Sequence, residues 1–103
     1  MSTATIEIQP RVREIAFTDD EMLSVRLIDG RIVLIPLGWY PRLAQATQAE
    51  RQDWRVFEDS DERDIILWEQ LDELIPVIAL LTGTPSRESK RSFDNWLAER
   101  SKK

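Results

Sequence analysis

The dipeptide Asp29-Gly30 constrains this chain more than any other feature. It separates Leu23, Val25 and Leu27, which alternate with Ser24 and Arg26, from the run Arg31-Ile32-Val33-Leu34-Ile35. Alternation of this kind marks a half-buried strand, and Asp-Gly between two strand-like runs is a strong hairpin signal. A two-residue type I′ turn needs positive φ at both central residues, which Gly adopts freely and Asp tolerates. Residues 31–35 are apolar on both faces and read as a central strand. Pro36 cannot donate to a ladder, so pairing ends there or faces an edge.

The same reading extends in both directions. Residues 12–17 read as a strand, with Val12, Glu14 and Ala16 on one face and Arg13, Ile15 and Phe17 on the other. Thr18-Asp19-Asp20-Glu21 is a turn by composition. Ile6 and Ile8 could extend a strand in the otherwise unpatterned first nine residues. Trp54-Arg55-Val56-Phe57 and Ile65-Ile66-Leu67-Trp68 read as two further strands, joined by an acidic turn over 58–64. The expectation is an antiparallel sheet of about five strands.

Helical signals fill the rest. Pro41 suits a first helical turn, and Leu43, Ala44 and Ala46 follow as a short apolar stripe. Thr47 with Glu50 forms a capping box for a second short helix, 48–53. A buried helix is expected over 76–82, ended by Gly83, and Thr84-Pro85 breaks the chain. Ser86 then caps a final helix to about Arg100. The fold class is α+β, a small antiparallel sheet with short helices and a C-terminal amphipathic helix. The organisation is one domain over 1–85 and a helical arm over 86–103 that either belongs to the same domain or docks a partner.

Composition excludes much chemistry. The 103 residues contain no His and no Cys. Imidazole and thiolate catalysis and Cys/His zinc sites are thereby ruled out. Three glycines, and lysines only at Lys90, Lys102 and Lys103, leave no phosphate-cradling loop. The longest apolar run, 74–81, contains Pro76 and falls far short of the ~20 residues of a membrane helix. No secretory pattern is visible at the start, so a cytoplasmic location is expected. Net charge is −5, distributed as an acidic middle, 47–85, and a basic tail, 86–103. The tail could serve the acidic middle or an outside acidic partner.

Several constellations invite a functional reading. The acidic loop places Asp59 and Asp61 at alternate positions, but a calcium loop needs an oxygen ligand at Arg63 and a glycine at Asp64. It reads as a solvated turn, and no metal is expected. Asp72/Glu73 and Asp61/Glu62 are paired carboxylates, and Asp72/Glu73 also suit the start of a helix. With no activated nucleophile in view, no catalytic residue is assigned and no cofactor is expected. Trp39-Tyr40-Pro41-Arg42 is the most unusual local cluster and could anchor a partner or plug the sheet. In the last helix, Ser89, Phe93, Trp96, Leu97 and Arg100 share one side, while Arg87, Lys90 and Arg91 stand near its start, where the helix dipole does not favour cations. Ala79 and Gly83 have helix-turn-helix spacing, but Ser89 occupies the apolar position expected early in the second helix. Nucleic acid is therefore a possible partner disfavoured by the acidic chain.

Taken together, Asp29-Gly30-Arg31, Pro36-Leu37, Trp39-Tyr40-Pro41-Arg42-Leu43, Ala46-Thr47, Arg51, Trp54, Ile66, Trp68, Leu71-Asp72-Glu73 and the turn at Gly83 resemble the small bacterial family called domain of unknown function twenty-four forty-two. Many members carry His where this chain has Leu67, and Pro where it has Glu69. The resemblance implies an α+β domain with no established catalysis. Members of that family often lie in gene pairs that look like toxin–antitoxin modules, so the resemblance implies an antitoxin-like or accessory role. The expectation is a non-catalytic module that binds a small protein, such as a toxin-like one, through Trp39, Tyr40, Arg42, Arg87, Lys90, Arg91, Phe93, Trp96 and Leu97. A DNA-binding autoregulator using the basic helix is the alternative.

Overall fold

The structure is a computed structural model that describes residues 11–101. The strand pattern at Ile6 and Ile8, and Lys102 and Lys103, lie outside the described residues. The first meander is β1 (Val12–Phe17), β2 (Met22–Leu27) and β3 (Ile32–Pro36). After a 3-10 turn, Leu37–Trp39, come α1 (Pro41–Ala44) and α2 (Gln48–Gln52). The second meander is β4 (Arg55–Glu58), β5 (Asp64–Trp68) and β6 (Glu73–Pro76), with a 3-10 turn at Glu69–Leu71 before β6. It is followed by α3 (Val77–Thr82) and α4 (Lys90–Ser101).

The strands form two three-stranded antiparallel sheets, ordered β1-β2-β3 and β4-β5-β6, in place of one sheet of about five strands. Two local features explain the difference. Between β3 and β4 the chain makes three helical turns, so the meanders do not pair with each other. The sixth strand hides in the apolar run that reads as the approach to a helix. There, Asp72 adopts a left-handed φ of 51°, which ends the 3-10 turn and sends Glu73–Pro76 back along β5. Strand β3 is an edge, and Leu34 on its outer side is 54% exposed, so it is not the central strand its apolar run implies.

A bulge between Val12 and Glu14 also reverses one facing. It moves Val12 to the core side, where it packs beside Ile15 and Phe17 rather than sharing the outer face of Glu14 and Ala16. The final helix starts at Lys90, four residues beyond Ser86. Its cap is Ser89, whose Oγ accepts from the Ser92 N–H at 3.0 Å. The Thr47/Glu50 capping box forms as expected, and Gly83 ends α3 at φ 73°.

The hairpin at Asp29-Gly30 forms, but with a three-residue connection. The Gly30 N–H donates to the Leu27 carbonyl at 3.0 Å and the Leu27 N–H to the Arg31 carbonyl at 2.8 Å. Only Gly30 is left-handed, at φ 96°. This arrangement needs one positive φ where type I′ needs two. The turns at 18–22 and 59–63 repeat the same pair of hydrogen bonds, with Glu21 at φ 60° and Glu62 at φ 61° in the glycine position.

Neither three-stranded sheet can cover a face alone. Their buried side chains share one cluster: Ile15, Leu23, Val25, Leu27 and Ile35 from the first, Ile66, Trp68 and Ile75 from the second. Leu37, Tyr40, Leu43, Leu71, Val77 and Leu80 close it from the turns and short helices. Trp68 is fully buried, meets Phe17 edge-on at 6.3 Å, and donates its indole N–H to the Arg51 carbonyl at 3.0 Å. At the far end the buried Asp64 accepts from the Val12 N–H at 2.7 Å and pairs with Arg11 Nε at 3.2 Å.

Two substitutions test the turn geometry. A Cβ on Gly30 meets nothing within 4 Å, so the cost of Gly30→Val is conformational rather than steric. It should destabilise by ~1–2 kcal/mol, the penalty of a side chain at left-handed φ. Glu62→Gly should do the reverse by ~0.5 kcal/mol, that penalty less the greater flexibility of an unfolded glycine. Thermal melts should separate the two variants by several degrees in opposite directions, and equal melting temperatures would rule out the turn assignment.

Candidate functional site

The residues of highest chemical interest converge where α1, the 84–88 segment and α4 meet. Arg42 is the second residue of α1, and its side chain keeps only 13% exposure. Its Nε donates to both Glu88 carboxylate oxygens at 3.0 and 2.9 Å, and Nη2 makes a further short contact to Oε2. Nη1 donates to the Leu71 carbonyl at 2.9 Å, so the same guanidinium holds the turn before β6. Glu88 also accepts from the Ser92 hydroxyl at 2.7 Å. The Arg42 hydrogen bonds hold the Glu88 carboxyl below its ordinary range against the opposing effect of burial.

Trp96 of α4 is the aromatic partner of this site. The Arg42 guanidinium lies 5.2 Å from its ring centroid and that of Arg100 lies 4.6 Å away. Phe93 stacks on the same ring at 5.8 Å. Arg100 binds Glu50 through two hydrogen bonds of 2.9 and 2.7 Å. Glu50 thus serves both the capping box of α2 and the end of α4. The Arg100 hydrogen bond, with the Thr47 N–H second, pulls its carboxyl down to about 2.

Beside Arg42 lies a cleft of about 290 Å³ whose lining includes Tyr40, Glu73, Pro76, Ala79, Pro85 and Arg87. Tyr40 is buried and donates its hydroxyl to the Thr84 carbonyl at 2.9 Å. The Ser86 N–H donates to the Trp39 carbonyl at 3.0 Å, which pins the 84–86 segment over this wall. Glu73 is half-buried, and desolvation pushes its carboxyl up to about 7. Arg42 opposes this rise, while Glu88 and Asp72 add to it. Burial, then the Glu73 charge, pushes the Tyr40 hydroxyl up to about 12. The cleft therefore holds a carboxyl that changes charge near neutrality, a pattern associated with functional sites. Tyr40, the hydroxyl beside it, is already committed to a backbone carbonyl.

The predicted partner-binding residues divide into three groups. Tyr40, Arg42, Phe93, Trp96 and Leu97 are buried or half-buried, and Arg42 and Trp96 are spent on holding α4. Trp39 is 36% exposed. Arg87, Lys90 and Arg91 are exposed near the start of α4, and Lys90 pairs with Asp94 at 2.8 Å. Asp72 and Glu73, adjacent in sequence, separate in environment: Asp72 stands almost fully exposed while Glu73 enters the cleft. In the acidic turn, Asp59 Oδ1 accepts from the Asp61 and Arg63 N–H groups, so that carboxylate shapes the hairpin. Asp64 ties the two sheets together.

Sequence reasoning passes over four further groups. Glu88 and Glu50 look like solvated acids, and only the tertiary approach of Arg42 and Arg100 gives them roles. Phe57 and Leu74 look like core residues and are instead 40% and 48% exposed, on the outer face of the second sheet. The alternation of Phe57 with Val56, and of Leu74 with Ile75, is the available signal for that outward facing. Among the described residues, no helix is long and apolar enough to cross a membrane.

The raised Glu73 and the lowered Glu50 make stability depend on pH in opposite directions. Glu73 has its folded value raised from 4.5 to about 7, so its contribution is full below the unfolded value and is lost as pH rises through 7. Glu50 is lowered to about 2, so its contribution is present above 4.5 and lost as pH falls toward 2. Between about pH 5 and about pH 8 the wild type should lose roughly 1–3 kcal/mol through Glu73, the full linkage value being reduced by its remaining solvent contact. Glu73→Gln should flatten that side of the profile. Parallel wild-type and variant profiles over this range would exclude the assignment.

Comparison with known protein families matches residues 12–86 to the family described as Protein of unknown function (DUF2442). No curated protein and no solved structure matches the chain. The match covers both sheets, the intervening helices, α3 and the segment that closes the cleft. The chain belongs to the DUF2442 family.

Proposed function

We propose that this protein is a non-catalytic interaction module, antitoxin-like or accessory in role, that binds a small protein on the outer face of its second sheet. One observation carries the reading. Across β4, β5 and β6 the register aligns Phe57 with Ile65 and Pro76, and Arg55 with Leu67 and Leu74. These rows alternate with the buried Ile66 and Ile75, so they lie on the side away from the core. Five apolar side chains are thus adjacent on this face, Phe57 and Leu74 exposed and Ile65, Leu67 and Pro76 half-buried, and Arg55 pairs with Glu69 at 2.6 Å. An apolar centre with charged groups at its margin is the usual composition of a protein-binding surface.

The placement of α4 supports this choice over the helix itself. Trp96 lies beside Arg42 and Arg100, so presenting it to a partner would break both cation–π contacts and the Arg42–Glu88 pair. The outer face of the second sheet requires no such rearrangement.

Nucleic-acid autoregulation is the second reading, favoured by the exposure of Arg87, Lys90 and Arg91 on one segment. The net charge of −5 weakens it, because phosphate contact is dominated by the overall electrostatic field.

Tagged full-length chain recovered from its own cells should bring down one stoichiometric small protein. The double variant Phe57→Glu/Leu74→Glu should lose that protein while keeping the wild-type melting temperature and circular dichroism. Arg87→Ala/Arg91→Ala should keep it. A folded Phe57→Glu/Leu74→Glu variant that still holds its partner would sink the reading. Salt-sensitive binding to its own promoter, abolished in Arg87→Ala/Arg91→Ala, would transfer support to the autoregulator.

A further inference from the structure

We propose that the free edge of β3 pairs with β3 of a second copy of this chain, antiparallel and centred on Val33, joining two first sheets into one six-stranded sheet. The inference is independent of the partner-binding face, which belongs to the other sheet.

The argument begins with the backbone. The Leu27 N–H donates to Arg31 at one end of the β2–β3 ladder and the Leu37 N–H to Glu21 at the other. Hydrogen-bonded pairs recur at every second residue, so Val25–Val33 and Leu23–Ile35 are the bonded pairs between them. Ile32 and Leu34 fall at the alternate positions and direct their N–H and C=O groups to the free edge. Their side chains stand on the outer face, 51% and 54% exposed. Among the described residues, the strand thus offers four unpaired main-chain groups flanked by two exposed aliphatic side chains.

The other edges are protected in ways that β3 is not. Strand β1 carries a bulge between Val12 and Glu14, with Arg13 and Glu14 exposed there. Strand β4 has four residues and charges at both ends, Arg55 and Glu58. Strand β6 also has four, beginning at Glu73 and ending at Pro76. Bulges, charges, shortness and proline are the devices that keep edges from pairing. Strand β3 has five residues, regular register, no charge, and a proline only at its last position.

The occupant follows from symmetry and charge. Ile32 and Leu34 lie equally far on either side of Val33. A two-fold axis there sets Ile32 against Leu34 of the second copy and the reverse, so all four main-chain groups are satisfied by their own equivalents. A centre at Leu34 would face the Ile32 carbonyl with Pro36, which has no N–H. The chain carries −5, so two copies repel wherever acids meet, and this seam brings none together. In the extended outer rows the charged Arg26 and Glu14 lie one and two strands away from the seam. Val33 and its equivalent become a non-hydrogen-bonded pair, whose Cα atoms lie ~4.5 Å apart, within disulfide reach.

The test uses the full chain, which contains no cysteine. Sedimentation equilibrium between ~5 and ~500 µM should show a monomer passing to a dimer, as expected for a seam smaller than a standard interface. Leu34→Lys, a charge on the outer face of the edge, should stay monomeric at the top of this range with unchanged circular dichroism. Leu74→Glu, on the other sheet, should dimerise as wild type does. Val33→Cys should form an intermolecular disulfide under mild oxidation, and Leu34→Cys should not. A wild type monomeric throughout, a Leu34→Lys dimer, or a Leu34→Cys disulfide in place of the Val33→Cys one would each overturn the proposal.

Discussion

The burial of Trp68 is the contact on which the remaining structure depends. A three-stranded sheet of four- to six-residue strands cannot be stable by itself, because it leaves too much of one face wet. Two such sheets become stable by closing on each other, and the largest fully buried side chain at that closure is Trp68. It belongs to the central strand of the second sheet, meets Phe17 of the first, and hydrogen-bonds the carbonyl of Arg51 just before the second meander begins. One side chain therefore ties both sheets and the helical connection between them. Its indole N–H has a partner, which is the condition for placing a Trp in a core without a desolvation penalty.

A second tier of contacts fixes the C-terminal helix to that core by charge and through Trp96, which packs against the core cluster. Charge distribution suggests that a basic tail meets an acidic middle, and one pair, Arg100 with Glu50, fits that description. The other runs the opposite way: the acid Glu88 of the tail meets the base Arg42 of the first half. Both guanidinium groups also lie against Trp96, so the helix is held by two ion pairs and an aromatic ring that they share. These pairs are partly desolvated, and removing one member leaves the other exposed to the cost of an unpaired charge.

Legibility in the sequence varied with the range of the interactions that decide each element. The first hairpin, the Thr47/Glu50 capping box and the Gly83 terminus were readable because residues a few positions apart determine them. Strand β6 was not. Leu74-Ile75-Pro76 continues into α3 as one apolar run, and the reversal that makes it a strand depends on a left-handed Asp72 just before it, which composition does not signal. The edge position of β3 was also hidden, because an all-apolar strand normally implies neighbours on both sides. In the site, Trp39-Tyr40-Pro41-Arg42 stands out by composition, yet Tyr40 and Arg42 are absorbed by Thr84 and Glu88, both more than forty residues away. The role of Glu73 rests on burial created by the 84–87 segment, which no local pattern contains.

Among the described residues, Ile28, Trp39 and Ile78 are exposed singly, and the other exposed large apolar side chains form two concentrations that differ in kind. A small two-sheet domain has one shared interior and therefore two outer faces that nothing in the chain must cover. On the second sheet, Phe57 and Leu74 lie on rows that cross all three strands, so that face offers side chains while β5, at its centre, is fully paired. On the first sheet, Ile32 and Leu34 belong to a single edge strand and accompany main-chain groups without partners among the described residues. Side chains on a paired face select an occupant by shape. An unpaired edge selects by backbone direction and register, which every extended strand can meet, including its own copy. Occupation of one surface does not preclude occupation of the other, because they lie on separate sheets. A dimer joined through β3 would carry two outward faces of the second sheet, and would bind two copies of a partner without any change within either domain.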